Sequence, residues 1–166
     1  MTLSEIIRER RSIREYEAKP VPRDELLKVL EAGRMAPSSR NKQNWNITVV
    51  ENEELRHKLV EASLGQPLAA KAPAMIVLWA TGGLVMSCGQ ITATVDCSIA
   101  LSFMMLKAAE LGLGTCWMGG YDPEAVKKVL GLPEDAAVVA MTPIGYPAET
   151  PNPTPRKPMD EIVHFM

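Results

Sequence analysis

Residues 74–80, AMIVLWA, are seven apolar side chains in a row, and they constrain this chain more than any other stretch. The run is short, lacks polar alternation and includes β-branched and aromatic members. It reads as a strand buried in the middle of a sheet. The rest of the sequence has to build and cover that sheet. AAVVAMTPIG (136–145) reads as a second central strand, and NITVVE (46–51), rich in β-branched residues, as a third. GTCWMGG (114–120) reads as a strand running into a glycine corner.

Helical spacing fills the intervals. Residues 3–11 form a short helix with Leu3, Ile6 and Ile7 as its apolar stripe, and KPVP (19–22) stops it. Arg23 to Met35 carries Leu26, Leu27 and Leu30 on one side, with Asp24 and Glu25 in the first turn, before Pro37. Residues 52–63 form a helix with Asn52 as N-cap. TGGLVMSCGQ (81–90) is a loop. Residues 92–111 form the longest helix, apolar nearly all round, so it must be buried on most sides, and Gly112 caps its end. Packing on its own sheet and packing on a second copy satisfy that requirement equally. DPEAVKKVLG (122–131) has Asp122 as N-cap, Pro123 at the first position and Gly131 past the end.

A length of 166 residues suits a single domain, 1–166, and no repeat or linker divides it. The tail YPAETPNPTPRKPMDEIVHF holds five prolines, so regular structure returns to it only at EIVHF. An arm of this kind, about 147–166, is expected to wrap a neighbouring copy. The net charge of −2 gives no general pull toward nucleic acid or an anionic membrane surface. Cys88, Cys97 and Cys116 are odd in number and form no Cys-x-x-Cys pair, which argues against a disulfide framework or a zinc site. Asp96, Lys107 and Glu110 interrupt the long apolar segment, so it is expected to be a core helix rather than a membrane span. The N-terminus shows no signal-peptide pattern, and the expected location is cytoplasmic.

Four segments carry chemistry. RERRSIREY (8–16) places four arginines around Ser12, a donor set suited to phosphate, although a solvated helix face explains such a run as well. APSSRNKQNW (36–45) crowds small hydroxyl and amide residues between a helix and a strand, either as a turn or as a cradle for a planar ligand. GLGTCWMGG (112–120) lacks the G-x-G-x-x-G spacing of a dinucleotide loop, which leaves Gly119–Gly120 as a place for close backbone approach or a tight turn. PRKP (155–158) returns cationic charge at the far end of the chain. No metal-ligand set and no nucleophile–base pair stands out, and His57 and His164 read as surface or structural. An enzyme without such a set can still work if a cofactor does the hard chemistry.

In this order and spacing, RRSIREY, APSSRNKQNW, the long apolar helix, LGLGTCWMGG and PRKP resemble the FMN-dependent nitroreductase family, nearly end to end. The resemblance implies an α+β fold, with a central mixed β-sheet flanked by helices. It also implies an intertwined homodimer in which the C-terminal arm adds a strand to the partner's sheet. FMN is the implied cofactor, and NAD(P)H and a small organic acceptor are the implied reactants. Arg10, Ser12 and Arg156 match the phosphate and ribityl binders, with Arg11 beside them. Arg14 matches the basic residue at the N1–C2=O edge of the flavin. Pro37, Ser38, Ser39 and Asn41 match a loop reaching the isoalloxazine from the other subunit. Gly119 and Gly120 match the corner approaching flavin N5, and Gln66 matches an amide at the pyrimidine edge. The expected activity is ping-pong hydride transfer to nitroaromatic or quinone acceptors. A redox-sensing flavin module, or another flavin reaction such as dehalogenation or flavin reduction, is the alternative. Three departures stand out. Gln43-Asn44-Trp45 replaces the usual Gln-Pro-Trp, only Lys71 offers a second cation before the central strand, and the 81–90 loop is short, which implies an open and permissive site.

Overall fold

The computed structural model describes residues 1–82 and 84–166. Strands β1 (Trp45–Val50), β2 (Ala74–Ala80), β3 (Gly114–Thr115) and β4 (Ala137–Gly145) form one sheet in the order β1-β2-β4-β3. The helices are α1 (Leu3–Glu9), α2 (Arg23–Arg34), α3 (Glu53–Ala62), α4 (Leu68–Lys71), α5 (Thr92–Glu110), α6 (Pro123–Leu130) and α7 (Met159–Ile162).

The apolar run of 74–80 is β2, and its side chains serve two cores in alternation. Ala74, Ile76, Leu78 and Ala80 pack with Leu26 and Val29 of α2 and with Ala100, Leu101 and Met104 of α5. Met75 and Val77 pack on the other face with Leu59 of α3 and Val126 of α6. Burial on both faces is the physical reason the run is continuous. Each fully buried Leu, Ile or Met contributes about 1.5–3 kcal/mol. Where α2 crosses α5, a Cβ on Gly33 would lie 2.0 Å from Met104 Cε, so the glycine sets how closely the two helices approach.

The start and stop signals read from the sequence operate as expected at three helices. Asn52 Oδ1 accepts from the Leu55 N–H at 2.9 Å, and Asp122 Oδ1 accepts from the Glu124 and Ala125 N–H groups. Gly131 closes α6 at φ 61°, and Gly112 follows α5 at φ 75°. By length and composition α5 is able to cross a membrane, but half of its apolar window is buried inside this protein.

Four features differ from the sequence expectation. The named strands pair only antiparallel, and the parallel component of the mixed sheet is one bridge between Ser12 and Thr115. The strand expected over 114–120 breaks after Thr115. There the Cys116 N–H donates to the Thr142 hydroxyl at 3.1 Å instead of to a strand carbonyl. Pairing resumes only at the Met118–Met141 bridge. In the tail, Met159–Ile162 is a short helix rather than the start of a strand. Pro158 stands before it, and Asp160 and Glu161 occupy its first turn, where negative charge is favoured. Within EIVHF, extended backbone therefore begins only at Val163. Finally, α4 and a 3-10 turn at Ser39–Asn41 were not anticipated.

Candidate functional site

The arginine-rich segment is only partly helical. Helix α1 ends at Glu9, and the chain continues as an extended strip along the sheet edge. Ile13 donates its N–H to the Thr115 carbonyl at 2.9 Å, Glu17 to Tyr146, and Ala148 donates to Glu15. Ile13 is buried and Arg14 is exposed. Close apposition to β3 is possible because residue 114 is glycine. A Cβ there would fall 2.7–2.9 Å from three Ile13 side-chain atoms.

The strip presents cations at both ends. Arg10, Arg11 and Ser12 line a cavity of about 710 Å³ with Arg156, Pro153 and Thr154 of the C-terminal arm. Chain segments more than 140 positions apart thus share one wall. The Arg11 guanidinium is committed to the Arg8 and Arg10 carbonyls, at 2.6 and 3.0 Å. Arg8, Arg10 and Arg156 are the cations left to meet a ligand there, with the Glu9 carboxylate on the same wall.

Arg14 lies on a second, smaller cavity of about 240 Å³, with Gln66 and Lys71. Gln66 Nε2 donates to the Gly120 carbonyl at 3.3 Å, so Arg14, Gln66 and the glycine corner form one neighbourhood. A Cβ on Gly120 would sit 2.5 Å from that amide nitrogen. A Cβ on Gly119 would meet nothing nearer than Trp117 Nε1, at 3.9 Å. Glu149, at the root of the arm, accepts from the N–H groups of Arg14 and Glu15. Lys71 pairs with Glu15. Burial pushes the Tyr16 phenol far above its ordinary range, with Cys116 and Glu149 adding to the shift and Arg14 opposing it. Tyr16 is therefore a neutral donor, and its hydroxyl holds the Ile13 carbonyl at 2.6 Å.

The Pro37–Asn41 loop lies elsewhere on the protomer. Ser39, with Arg40 and Lys42, faces the hairpin formed by residues 84–92 across a cavity of about 340 Å³. Three non-glycine residues here, Arg40, Asn41 and Gln43, have φ between 50° and 55°. Two contacts hold that backbone. Ser38 Oγ accepts from the Gln43 N–H at 3.1 Å, and Asp96 Oδ1 accepts from the Ser39 N–H at 3.0 Å. Asp96 is 1% exposed, and its Oδ2 has no partner among the described residues. Sequence reasoning missed Asp96 and treated it only as an interruption of an apolar run. The available signal was a carboxylate in the second turn of an otherwise apolar helix.

Among the described residues, no group of three or more His, Cys, Asp or Glu side chains is placed to hold a metal ion. The arrangement is an anion cradle, a cation–amide–glycine neighbourhood and a separately braced polar loop.

The family model described as "Nitroreductase family" matches residues 7–146. A Thermus thermophilus protein named NADH dehydrogenase is 33% identical, over 93% of this chain and 91% of that protein. A Bacillus subtilis protein named FMN reductase [NAD(P)H] is 30% identical, over 98% of this chain and 74% of its own length. Among solved structures, the NADPH:FMN oxidoreductase of Vibrio harveyi, complexed with NAD+, superposes with a TM-score of 0.90 at 27% identity. That superposition covers 98% of this chain and 76% of the other.

Proposed function

Because this chain belongs to the nitroreductase family, we propose that it is an FMN-dependent oxidoreductase, a single domain over 1–166 acting as an intertwined homodimer. In this reading NAD(P)H delivers hydride and leaves. A nitroaromatic, quinone or similar organic acceptor then takes its place, in a ping-pong cycle. The family match and the names of the relatives support the oxidoreductase class. The acceptor, the FMN identity, the dimer and the individual residue roles are our own assignment.

The donor set fits flavin mononucleotide. A phosphate calls for several convergent cationic or hydroxyl donors, and Arg10, Ser12 and Arg156 line one cavity. The strip from Arg10 to Arg14 spans about 13 Å if fully extended, enough to set a phosphate at one end and a ring at the other. At the ring end the residues are a cation, an amide and two glycines. Side-chain bulk is missing where a flat ring has to come close.

When bound, the flavin supplies the centre that accepts and releases hydride. The residues then divide the remaining work. Arg10, Ser12 and Arg156 anchor the phosphate, with Arg11 bracing the strip through backbone carbonyls. Arg14 supplies a fixed positive charge that favours negative charge developing beside it. Its position is fixed by Glu149, which grips the backbone rather than the guanidinium. Gln66 presents an amide to the ring edge. Gly119 and Gly120 offer bare N–H groups; the space beside Gly119 is open, and the Gln66 amide packs against Gly120. In the proposed dimer, Pro37, Ser38, Ser39 and Asn41 of one protomer close over the flavin of the other, and residues 147–166 cross between protomers.

The convergence of Arg10, Ser12 and Arg156 on one cavity carries this reading. The purified protein should be yellow and should bleach anaerobically with NADH or NADPH. Arg10→Ala and Arg156→Ala should each remove about 1.5–3 kcal/mol of charged hydrogen bonding, raising the flavin dissociation constant roughly ten- to a hundred-fold. A colourless protein that does not take up added FMN refutes the assignment, as do variants that retain flavin unchanged.

A further inference from the structure

The cavity between the Ser39–Lys42 turn and the 84–92 hairpin is not used by the reading above. Two cations line it, Arg40 and Lys42, and neither forms a salt bridge among the described residues. No carboxylate lines it. Asp96 of α5 lies one turn beyond the lining residue Thr92. One of its oxygens is occupied by the Ser39 N–H, and the carboxyl group is buried. The cavity therefore presents net positive charge.

The opposite wall is apolar over Leu84, Val85 and Met86, is completed by Ser87, Cys88 and Thr92, and is held in shape. Leu84 and Val85 are exposed in the free protomer. The hairpin is tied by a Val85–Ile91 bridge, by Thr92 N–H to the Leu84 carbonyl at 2.9 Å, and by Met86 N–H to the Gln90 carbonyl at 2.8 Å. Facing it, Arg40 sits at φ 53° in a turn fastened at both ends. Two unpaired cations opposite a fixed apolar wall suit a ligand with a flat hydrophobic body and a negative group on one edge.

We propose that this cavity takes the anionic substituent of the electron acceptor, which makes the preferred substrates aromatic acceptors bearing a carboxylate or a comparable acid group. The inference rests on the oxidoreductase reading, in which the 37–41 loop faces the flavin. It names the substrate class that reading left open. The apolar wall carries the ring, and Arg40 and Lys42 hold the acid edge, so the reducible group is oriented away from the cations.

The test compares 4-nitrobenzoate with 4-nitrobenzamide, which share size and shape and differ in charge. Binding to the purified flavoprotein is measured by calorimetry, and turnover is measured as reoxidation of the reduced protein. The expected result is about ten-fold tighter binding of the carboxylate, with the same preference in kcat/KM. Arg40→Gly suits the positive φ and should preserve the fold; it should collapse the preference toward unity, as should Lys42→Ala. Arg40→Lys should recover part of it. Equal affinity for the two compounds in the wild type overturns the inference. A preference that survives both substitutions also overturns it. If Arg40→Gly changes the NADPH-to-NADH preference and leaves the acceptor preference intact, the cations serve the dinucleotide phosphate, and the acceptor assignment falls. If neither compound nor benzoquinone reoxidises the reduced protein, the proposed turnover fails, whereas the binding ratio still decides the anion site.

Discussion

Asp96 and Ser39 lie 57 positions apart and are joined by a single hydrogen bond, from the Ser39 N–H to Asp96 Oδ1 at 3.0 Å. The carboxylate belongs to the central helix α5, and the N–H opens a turn with three left-handed non-glycine residues. Such backbone persists only where its surroundings over-determine it.

Asp96→Ala should therefore destabilise the protein by about 1–3 kcal/mol, since it leaves the Ser39 N–H without its partner and opens a void. Asp96→Asn retains an acceptor oxygen and should cost less. Urea unfolding of the two variants measures the difference. If the two costs are equal, the hydrogen bond is not what holds the turn.

Gly114→Ala should displace the strip that carries Ser12 and Arg14. The added methyl would meet Ile13 at its Cβ, Cγ1 and Cγ2, which cannot swing away as the end of a long side chain can. The expected cost is about 1–3 kcal/mol, with weaker flavin retention than in wild type. Gly119→Ala, where space is open, is the control for stability. Thermal denaturation and flavin occupancy report the two effects separately.

Alkaline pH should weaken the fold through its tyrosines. Burial pushes the Tyr121 phenol up to about 12, with Cys97 adding to the shift, and Tyr16 moves in the same direction. In the unfolded chain both ionise near 10. The native state therefore holds more protons above that pH. Stability from this source is complete below about pH 10 and falls as pH rises toward 12. Urea midpoints measured from about pH 9.5 to 11.5 should decline, and Tyr121→Phe should decline less steeply. A pH-independent midpoint contradicts the argument.

Thiol reagents should find one fast-reacting cysteine. Cys88 is exposed, whereas Cys97 and Cys116 are buried. Burial pushes the Cys97 thiol up to about 12, with Asp96 adding to it, so little thiolate exists at neutral pH. Ellman titration of the native protein should give about one equivalent, and Cys88→Ser should abolish it. The remaining two should appear only on unfolding.

The elements set by local chemistry were legible in advance. β2 was bounded by composition alone, and α6 by Asp122, Pro123 and Gly131. Arg10, Ser12 and Arg156 were grouped through the family resemblance, and the fold brings them to one cavity. What escaped the sequence depends on distant partners. The break after Thr115 is caused by the hydroxyl of Thr142, 26 residues beyond Cys116. The importance of Asp96 appears only once Ser39 lies over it. The Ser12–Thr115 bridge depends on the absent side chain of Gly114. The strand at EIVHF was implied by the family resemblance. Its first residues fold locally as a helix, because Pro158 and two acids favour that start.

Glu149 grips the backbone at Arg14 and Glu15, and this fixes where the C-terminal arm is free to begin. Beyond that latch lie seventeen residues, Thr150 to Met166, stiffened by prolines at 151, 153, 155 and 158. Fully stretched, such a tether reaches no further than about 55–60 Å. Arg156 rides only seven positions past the latch, on a leash of roughly 25 Å. The reach of that guanidinium is therefore a small sphere centred on the anchoring carboxylate.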